Sequence, residues 1–239
     1  MSSTSPCKGE DVENSGIWMS QVGYSKQYLQ HERFIFQSKK TEHDVLLLGD
    51  SVLQNFQFSP IYKNLIEPLH VLNFCIHDDQ TQNILWRVMH GELDGFSPKV
   101  IILMAGTHNK MHSAEEIANG IGEIVKVIKE KQPNSHIILM GLLPCGRLPN
   151  PKRTKHDSVN KQLAELFKST KNLTFINPDA EKFLHADGSI SHRDMLDYLN
   201  PTENGYSKLA DIFSDELQSC LKNFLKTNAP SSGLGNASN

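Results

Sequence analysis

The stretch Asp44-Val45-Leu46-Leu47-Leu48-Gly49-Asp50-Ser51 places an apolar run directly before a glycine, an aspartate and a serine. A short apolar run that ends at turn residues is typical of a strand buried on both faces of a parallel sheet. The run therefore predicts a strand over 45–48 that carries the Ser51 hydroxyl to its carboxyl end. This hydroxyl is the strongest indication of function in the chain.

Other short apolar segments repeat this pattern, and longer amphipathic segments separate them. The predicted strands are 45–48, 71–74, 100–105, 136–143 and 173–176. The predicted helices, with apolar residues at three- and four-residue spacing, are roughly 52–67, 80–91, 113–131, 156–170 and 202–225. Such alternation predicts an α/β fold, a three-layer α/β/α sandwich around a central parallel five-stranded sheet.

The composition is that of one soluble domain, with 239 residues, 38% of them hydrophobic, and a net charge of −3. We predict a single domain over 17–226. Segments 1–16 and 227–239 are rich in Ser, Asn, Gly and Pro, and we predict them to be disordered tails.

The sequence argues against several classes of protein. No apolar run is long enough for a membrane span, and the polar first residues do not resemble a secretory signal, so we expect a cytoplasmic protein. Cys7, Cys75, Cys145 and Cys220 lie too far apart to indicate a zinc site or a disulfide framework. Basic residues are spread evenly along the chain, which argues against a nucleic-acid partner.

Parallel sheets form their sites beyond the carboxyl ends of strands. Ser51, the 75–79 loop and the 106–112 loop should therefore meet there. Spacing alone leaves two roles open for Ser51. It is either a nucleophile, which needs a base to take its proton, or the N-cap of the following helix.

Over 18–225 the chain resembles the SGNH (GDSL) hydrolases and, among them, the catalytic α subunits of type I platelet-activating-factor acetylhydrolase. The segments that carry the resemblance are Ile17 to Gln21, Gly49-Asp50-Ser51, Leu72-Asn73-Phe74, Leu85-Trp86-Arg87, Gly91-Glu92-Leu93, Pro98-Lys99-Val100, Gly106-Thr107, Gly141 to Pro144, Pro149-Asn150-Pro151, Asp187 to His192, Asp194-Met195 and Asp197-Tyr198-Leu199. The resemblance implies a flavodoxin-like SGNH hydrolase fold. A run at 22–29 looks like extra sequence before the first strand.

The resemblance also implies roles for individual residues. It places the nucleophile at Ser51, whose amide is an oxyanion donor, and the aspartate of the triad at Asp197. The family's histidine base stands three residues after that aspartate, and this chain has Asn200 there. Asp78 stands where the family has an oxyanion-hole glycine, and His108 stands where it has an oxyanion-hole asparagine.

These substitutions predict an impaired site. Loss of one oxyanion donor typically costs about 10²–10³ in rate, and loss of a triad histidine about 10⁶. An asparagine amide neither accepts a proton near neutral pH nor returns it to a leaving group. We therefore favour a pseudoenzyme, with an active serine esterase, which would remove the acetyl group from ether phospholipids or small acyl esters, as the alternative.

Two further interpretations concern the neighbouring loops. His108 could act as a replacement base for Ser51, with Asp78 or Asp79 as its orienting carboxylate. His77, Asp78, Asp79 and His108 could instead form a metal cluster, but spacing does not enforce this, and we predict neither a metal nor a cofactor.

The resemblance finally implies partners. Members of the family form homo- or heterodimers of acetylhydrolase α subunits, and these bind a WD-repeat β-propeller regulator of dynein. A subunit that keeps the fold without turnover would suit such a role. An ether-phospholipid or small acyl ester ligand is the further expectation.

Overall fold

The computed structural model describes residues 26–40 and 42–227. The strands are β1 (Val45–Gly49), β2 (Val71–Cys75), β3 (Val100–Met104), β4 (His136–Met140) and β5 (Leu173–Ile176). The α-helices are α1 (Lys26–Ser38), α2 (Ser51–Phe56), α3 (Pro60–Leu65), α4 (Thr81–Met89), α5 (Ala114–Lys131), α6 (Pro151–Phe167) and α7 (Glu203–Thr227). No helix in this part of the chain is both long and apolar enough to cross a membrane.

The strands form one parallel sheet in the order β2-β1-β3-β4-β5. The order reverses at β1, which is the topological switch point where sheets of this type hold their sites. Gly49 pairs with Cys75 of β2 and with Met104 of β3, so three strands end at one level. The predicted three-layer fold with a five-stranded parallel sheet is confirmed.

Alternating side chains of β1 enter two separate cores. Leu46 and Leu48 face one core, which α1, α4, α5 and α6 cover. Val45 and Leu47 face the other, which α2, α3 and α7 cover. Both faces of the sheet are therefore buried at its centre, which is why β1 and β3 show no alternation of polar residues.

Several predicted boundaries were wrong for identifiable reasons. The predicted helix 52–67 is two helices, because Ser59 caps a new helix through the Tyr62 amide at 3.2 Å and Pro60 begins it. The predicted strand 136–143 ends at Met140, and the apolar residues beyond it, Leu142 and Leu143, are buried in a loop. These two residues are apolar because they are buried, although they do not belong to a strand.

Two helices were predicted incompletely or not at all. Helix α6 begins five residues earlier than predicted, at Pro151, where Asn150 caps the Arg153 amide at 3.1 Å. Helix α1 was not predicted, and it contains Lys26 to Leu29 of the extra run, whereas 22–25 lie outside the described residues. Most of both proposed tails also lies outside them, so the domain boundaries stay predictions.

Buried charges tie α1 and α4 to the 75–79 loop. Arg87 is completely buried and pairs with Glu92 on one side and with Asp79 on the other, where Nε donates to Oδ2 at 2.9 Å. His31 of α1 contacts Glu92 at 2.8 Å. Burial raises the pKa of Asp79 to about 7 although the guanidinium opposes this. Between pH 3.8 and about 7 this carboxyl binds a proton only in the folded state, so its contribution to stability decreases as pH rises.

Replacing Arg87 with methionine should lower the free energy of unfolding by about 3–5 kcal/mol, because two buried carboxylates would lose their shared cation. Urea denaturation followed by circular dichroism measures this. Lys126→Met is the matched control, because Lys126 makes only an exposed pair with Glu123 and its loss should cost less than about 1 kcal/mol. Equal effects of the two substitutions would contradict a structural role for the buried cluster.

Candidate active site at the carboxyl edge of the sheet

A close backbone approach places Ser51 at the end of β1. A Cβ on Gly49 would lie 2.4 Å from the Met104 carbonyl oxygen, so only glycine fits there. Asp50 then caps α2 by accepting from the Val52 amide at 3.0 Å. Asp50 takes the capping role, and Ser51 is the first residue of the helix. The N-cap alternative for Ser51 is therefore wrong, and its hydroxyl is free for another partner.

That partner is His108. The Ser51 Oγ and the His108 Nε2 lie 2.8 Å apart, and the His108 Nδ1 lies 3.2 Å from the Asp78 Oδ1. Three loops that leave the sheet at one level thus supply a hydroxyl, an imidazole and a carboxylate in a line. This is the arrangement by which serine hydrolases activate a nucleophile.

Contacts from three elements hold the loop that carries His108. Gly106 has a φ of 112°, and a Cβ there would meet the Ile117 side chain at 2.7 Å. Asn109 joins this loop to the start of α4, because its Oδ1 accepts from the Thr81 amide at 3.0 Å. Lys155 of α6 donates to three carbonyl oxygens of the same loop at 3.0–3.2 Å. The backbone on either side of His108 is therefore fixed.

Asn109 and Lys155 were not predicted as site residues from the sequence. Nothing in the order of residues distinguishes them from other polar loop or helix residues. Their contacts span 28 and about 45 positions along the chain.

The 75–79 loop separates its two carboxylates. Asp78 adopts a left-handed backbone with φ 62°, a conformation that glycine adopts without strain, and its side chain is 66% exposed. Asp79 instead points inward to Arg87. Asp78 is thus the carboxylate next to His108. Because Asp79 is engaged elsewhere, it does not join His77, Asp78 and His108 in a set of metal ligands.

The surroundings of His108 favour a neutral imidazole. Burial lowers its pKa, and the carboxylates of Asp50 and Asp78 oppose this only in part. A proton on the His108 Nδ1 would face the Asp78 Oδ1 at 3.2 Å and would leave Nε2 free to accept from the Ser51 hydroxyl. This tautomer is the one that a general base requires.

The loop that carries Asp197 is closed upon itself. The Asn200 Nδ2 donates to the Asp197 Oδ2 at 2.8 Å, and the Asn200 amide donates to Oδ1 at 2.7 Å. Burial raises the pKa of Asp197, but hydrogen bonds from Asn200 and Leu199 outweigh it and hold this pKa below its usual value. Among the described residues, neither Asp197 nor Asn200 bonds to Ser51 or His108.

The Asn200 Oδ1 is buried and has no hydrogen-bond partner. His192 is not near the serine either, because its ring nitrogens contact the Leu196 carbonyl at 3.2 Å and the Tyr198 hydroxyl at 2.5 Å. The structure therefore brings together Ser51, His108 and Asp78, and it leaves Asp197 and Asn200 as a separate pair.

The candidate nucleophile is covered. Ser51 has 0% of its surface exposed, and His108 has 8%. Tyr206 of α7 secures the helix that carries Ser51 by donating to the Val52 carbonyl at 2.8 Å.

Comparison with known proteins agrees with this fold. Residues 47–208 match the model of the GDSL-like lipase/acylhydrolase family. The chain is 42% identical over 217 residues to platelet-activating factor acetylhydrolase IB subunit alpha2 of Homo sapiens, covering 91% of this chain and 90% of that protein. It is 39% identical over 202 residues to subunit alpha1 of the same species, covering 84% and 83%.

A solved structure shows the same fold at lower sequence identity. The GDSL-like lipase of Bacteroides thetaiotaomicron superposes with a TM-score of 0.67 at 16% identity, over 81% of this chain and 98% of that one. The chain therefore belongs to the GDSL-like lipase/acylhydrolase family and, within it, to the group that contains the alpha subunits of platelet-activating factor acetylhydrolase IB.

Proposed function

We propose that the chain is a subunit of the acetylhydrolase type whose inherited hydrolytic site is impaired and that acts through its partners. The observation that carries this proposal is the contact between Asn200 and Asp197. At the position of the family's base, an amide donates to the carboxylate at 2.8 Å and offers no nitrogen that can take up a proton. Acetyl hydrolysis by the family's relay is then slower by orders of magnitude.

The covered serine supports the same proposal. A working esterase must admit an ester and then a water molecule to the hydroxyl, and Ser51 is completely buried. Asp78 adds a carboxylate beside the position where an oxyanion would develop, and its charge would oppose that oxyanion.

The proposed binding of partners is supported by the similarity to the relatives along the whole domain. Identity of 42% extends over 91% of the chain, although the site has changed at positions 78, 108 and 200. The relatives are named as subunits. Helix α1 presents exposed apolar side chains at Leu29 and Phe36, and α4 presents Met89. We propose a dimer with a second alpha subunit and binding of a WD-repeat β-propeller regulator of dynein in the cytoplasm.

Restoring the family's residues together, as Asn200→His, Asp78→Gly and His108→Asn, should raise acetyl-ester turnover at least about 10³-fold above the unmodified chain. The Nδ1 of histidine occupies the same place along the side chain as the Asn200 Nδ2, so the 2.8 Å bond to Asp197 would be kept. Steady-state hydrolysis of an acetyl ether phospholipid and of p-nitrophenyl acetate measures the gain.

The same triple variant with Ser51→Ala is the control for contaminating esterase. Family-like turnover by the unmodified chain, abolished by Ser51→Ala, would contradict the impaired-subunit proposal and establish the esterase alternative.

Replacing Ser51 with alanine should leave partner binding unchanged, because a completely buried side chain contributes nothing to the surface. Sedimentation measures the dimer, and co-purification with the WD-repeat regulator measures the complex. Leu29→Ser combined with Phe36→Ser tests the exposed face of α1. A chain that is monomeric alone and with an alpha subunit, and that fails to bind the regulator, would refute the subunit role.

A further inference from the structure

Ser51 contacts His108, and His108 contacts Asp78. This set of residues differs from the catalytic set of the family. The family's base position holds Asn200, which bonds to Asp197 and not to the serine. We propose that Ser51, His108 and Asp78 form a relocated nucleophilic site, which accepts one acyl group from a small activated ester and releases it slowly.

The residues that damage the inherited site are the ones that form the new one. His108 stands where the family has an oxyanion-hole asparagine, and here its Nε2 lies 2.8 Å from the Ser51 Oγ. Asp78 stands where the family has a glycine, and its Oδ1 lies 3.2 Å from the other ring nitrogen. Taken singly, each substitution removes a feature of the family site. Taken together, they supply a base and a carboxylate that orients it.

The charges that face His108 come from every element around it. Asp50 at the start of α2 and Asp78 in the 75–79 loop raise its pKa, whereas Lys152 of α6 and His77 lower it. Burial is the largest effect and keeps the imidazole neutral near pH 7. His108 is the group that receives the proton, and Asp78 is a positioning residue, because it touches the imidazole and not the reacting atoms.

The acylation step balances without a cofactor. As the Ser51 Oγ bonds to the acyl carbon, its proton passes to the His108 Nε2. The bond from that carbon to the leaving oxygen then breaks, and the leaving oxygen takes the proton from Nε2 as the alcohol departs. The products are an acyl ester of Ser51, a free alcohol and a neutral His108.

Release of the acyl group is the slower step. Acylation by an activated ester expels a weakly basic phenolate, whereas deacylation must expel the serine alkoxide. Because the side chain at 108 now serves as the base, it no longer stabilises the oxyanion, a loss of about 10²–10³ in rate. The buried site also restricts entry of water and of large esters, so short acyl groups with good leaving groups fit best.

Labelling of the purified full-length chain with a fluorophosphonate tests the site. The Ser51 Oγ would bond to phosphorus, fluoride would leave, and the proton would pass to His108. Intact-mass analysis should show one adduct, which Ser51→Ala abolishes. With p-nitrophenyl acetate we expect a burst of at most one equivalent of nitrophenolate, followed by a rate at least 10-fold slower.

Substitutions of His108 and of Asp78 should separate the roles of these two residues. His108→Asn introduces the residue of the family and should reduce the labelling rate at least 100-fold, with an unchanged circular dichroism spectrum. His185→Asn removes an exposed imidazole outside the site, and it should label at the unmodified rate. Labelling that survives His108→Asn overturns the proposal.

The pH dependence provides a measurement that does not rely on folding of a variant. The labelling rate should rise with pH to a plateau, with a midpoint below 6.5, because only the neutral imidazole accepts the proton. Asp78→Asn should move that midpoint to lower pH, because a carboxylate that favours the imidazolium is lost, and should slow labelling about 10-fold. A rate that does not fall as the pH is lowered through the whole range in which the chain stays folded overturns the relay.

The labelling and burst experiments also bear on the impaired-subunit proposal. Rapid multiple turnover refutes impairment and also refutes slow release. Absence of both adduct and burst refutes the relocated site and leaves the subunit role intact.

Discussion

The pairing of β1 with β2 on one side and with β3 on the other is the constraint on which the rest of the structure depends. Gly49 lies level with Cys75 and Met104, so the chain leaves three strands at one height. The absence of a side chain at Gly49 permits the close contact with Met104 that sets this level. Because of this alignment, a hydroxyl, an imidazole and a carboxylate from distant positions come within hydrogen-bonding distance.

The proposed relocated site depends on loops that share one edge of the sheet. An imidazole that enters from the 106–112 loop contacts Ser51, while the loop at 197–200 closes upon itself. Local contacts define each arrangement, because Asp197 accepts hydrogen bonds from Asn200 and His108 faces Asp78 at 3.2 Å. The proposed impairment of the inherited chemistry and the contact of Ser51 with an imidazole are therefore compatible in one fold.

Most of the fold could be predicted from residue order. Apolar runs gave the strands, and three- and four-residue spacing with the Ser113 capping box gave α5 closely. The predicted strand 136–143 was too long, because the apolar residues beyond Met140 are buried in a loop. Prediction also failed where tertiary packing stabilises a mostly polar helix, as in α1, where Phe34 stacks on Phe74 at 4.4 Å.

The sequence by itself determined that Ser51 ends a buried strand, that Asn200 stands three residues after Asp197 and that two loops bring imidazole and carboxylate groups to the same edge. Only the tertiary structure decided that His108 contacts Ser51, that Asp78 faces His108, and that Asp79 turns to Arg87. The reason is physical. Strand register places whole loops, but the φ of Asp78 and the burial of Arg87 set the direction of each side chain, and neither follows from spacing along the chain.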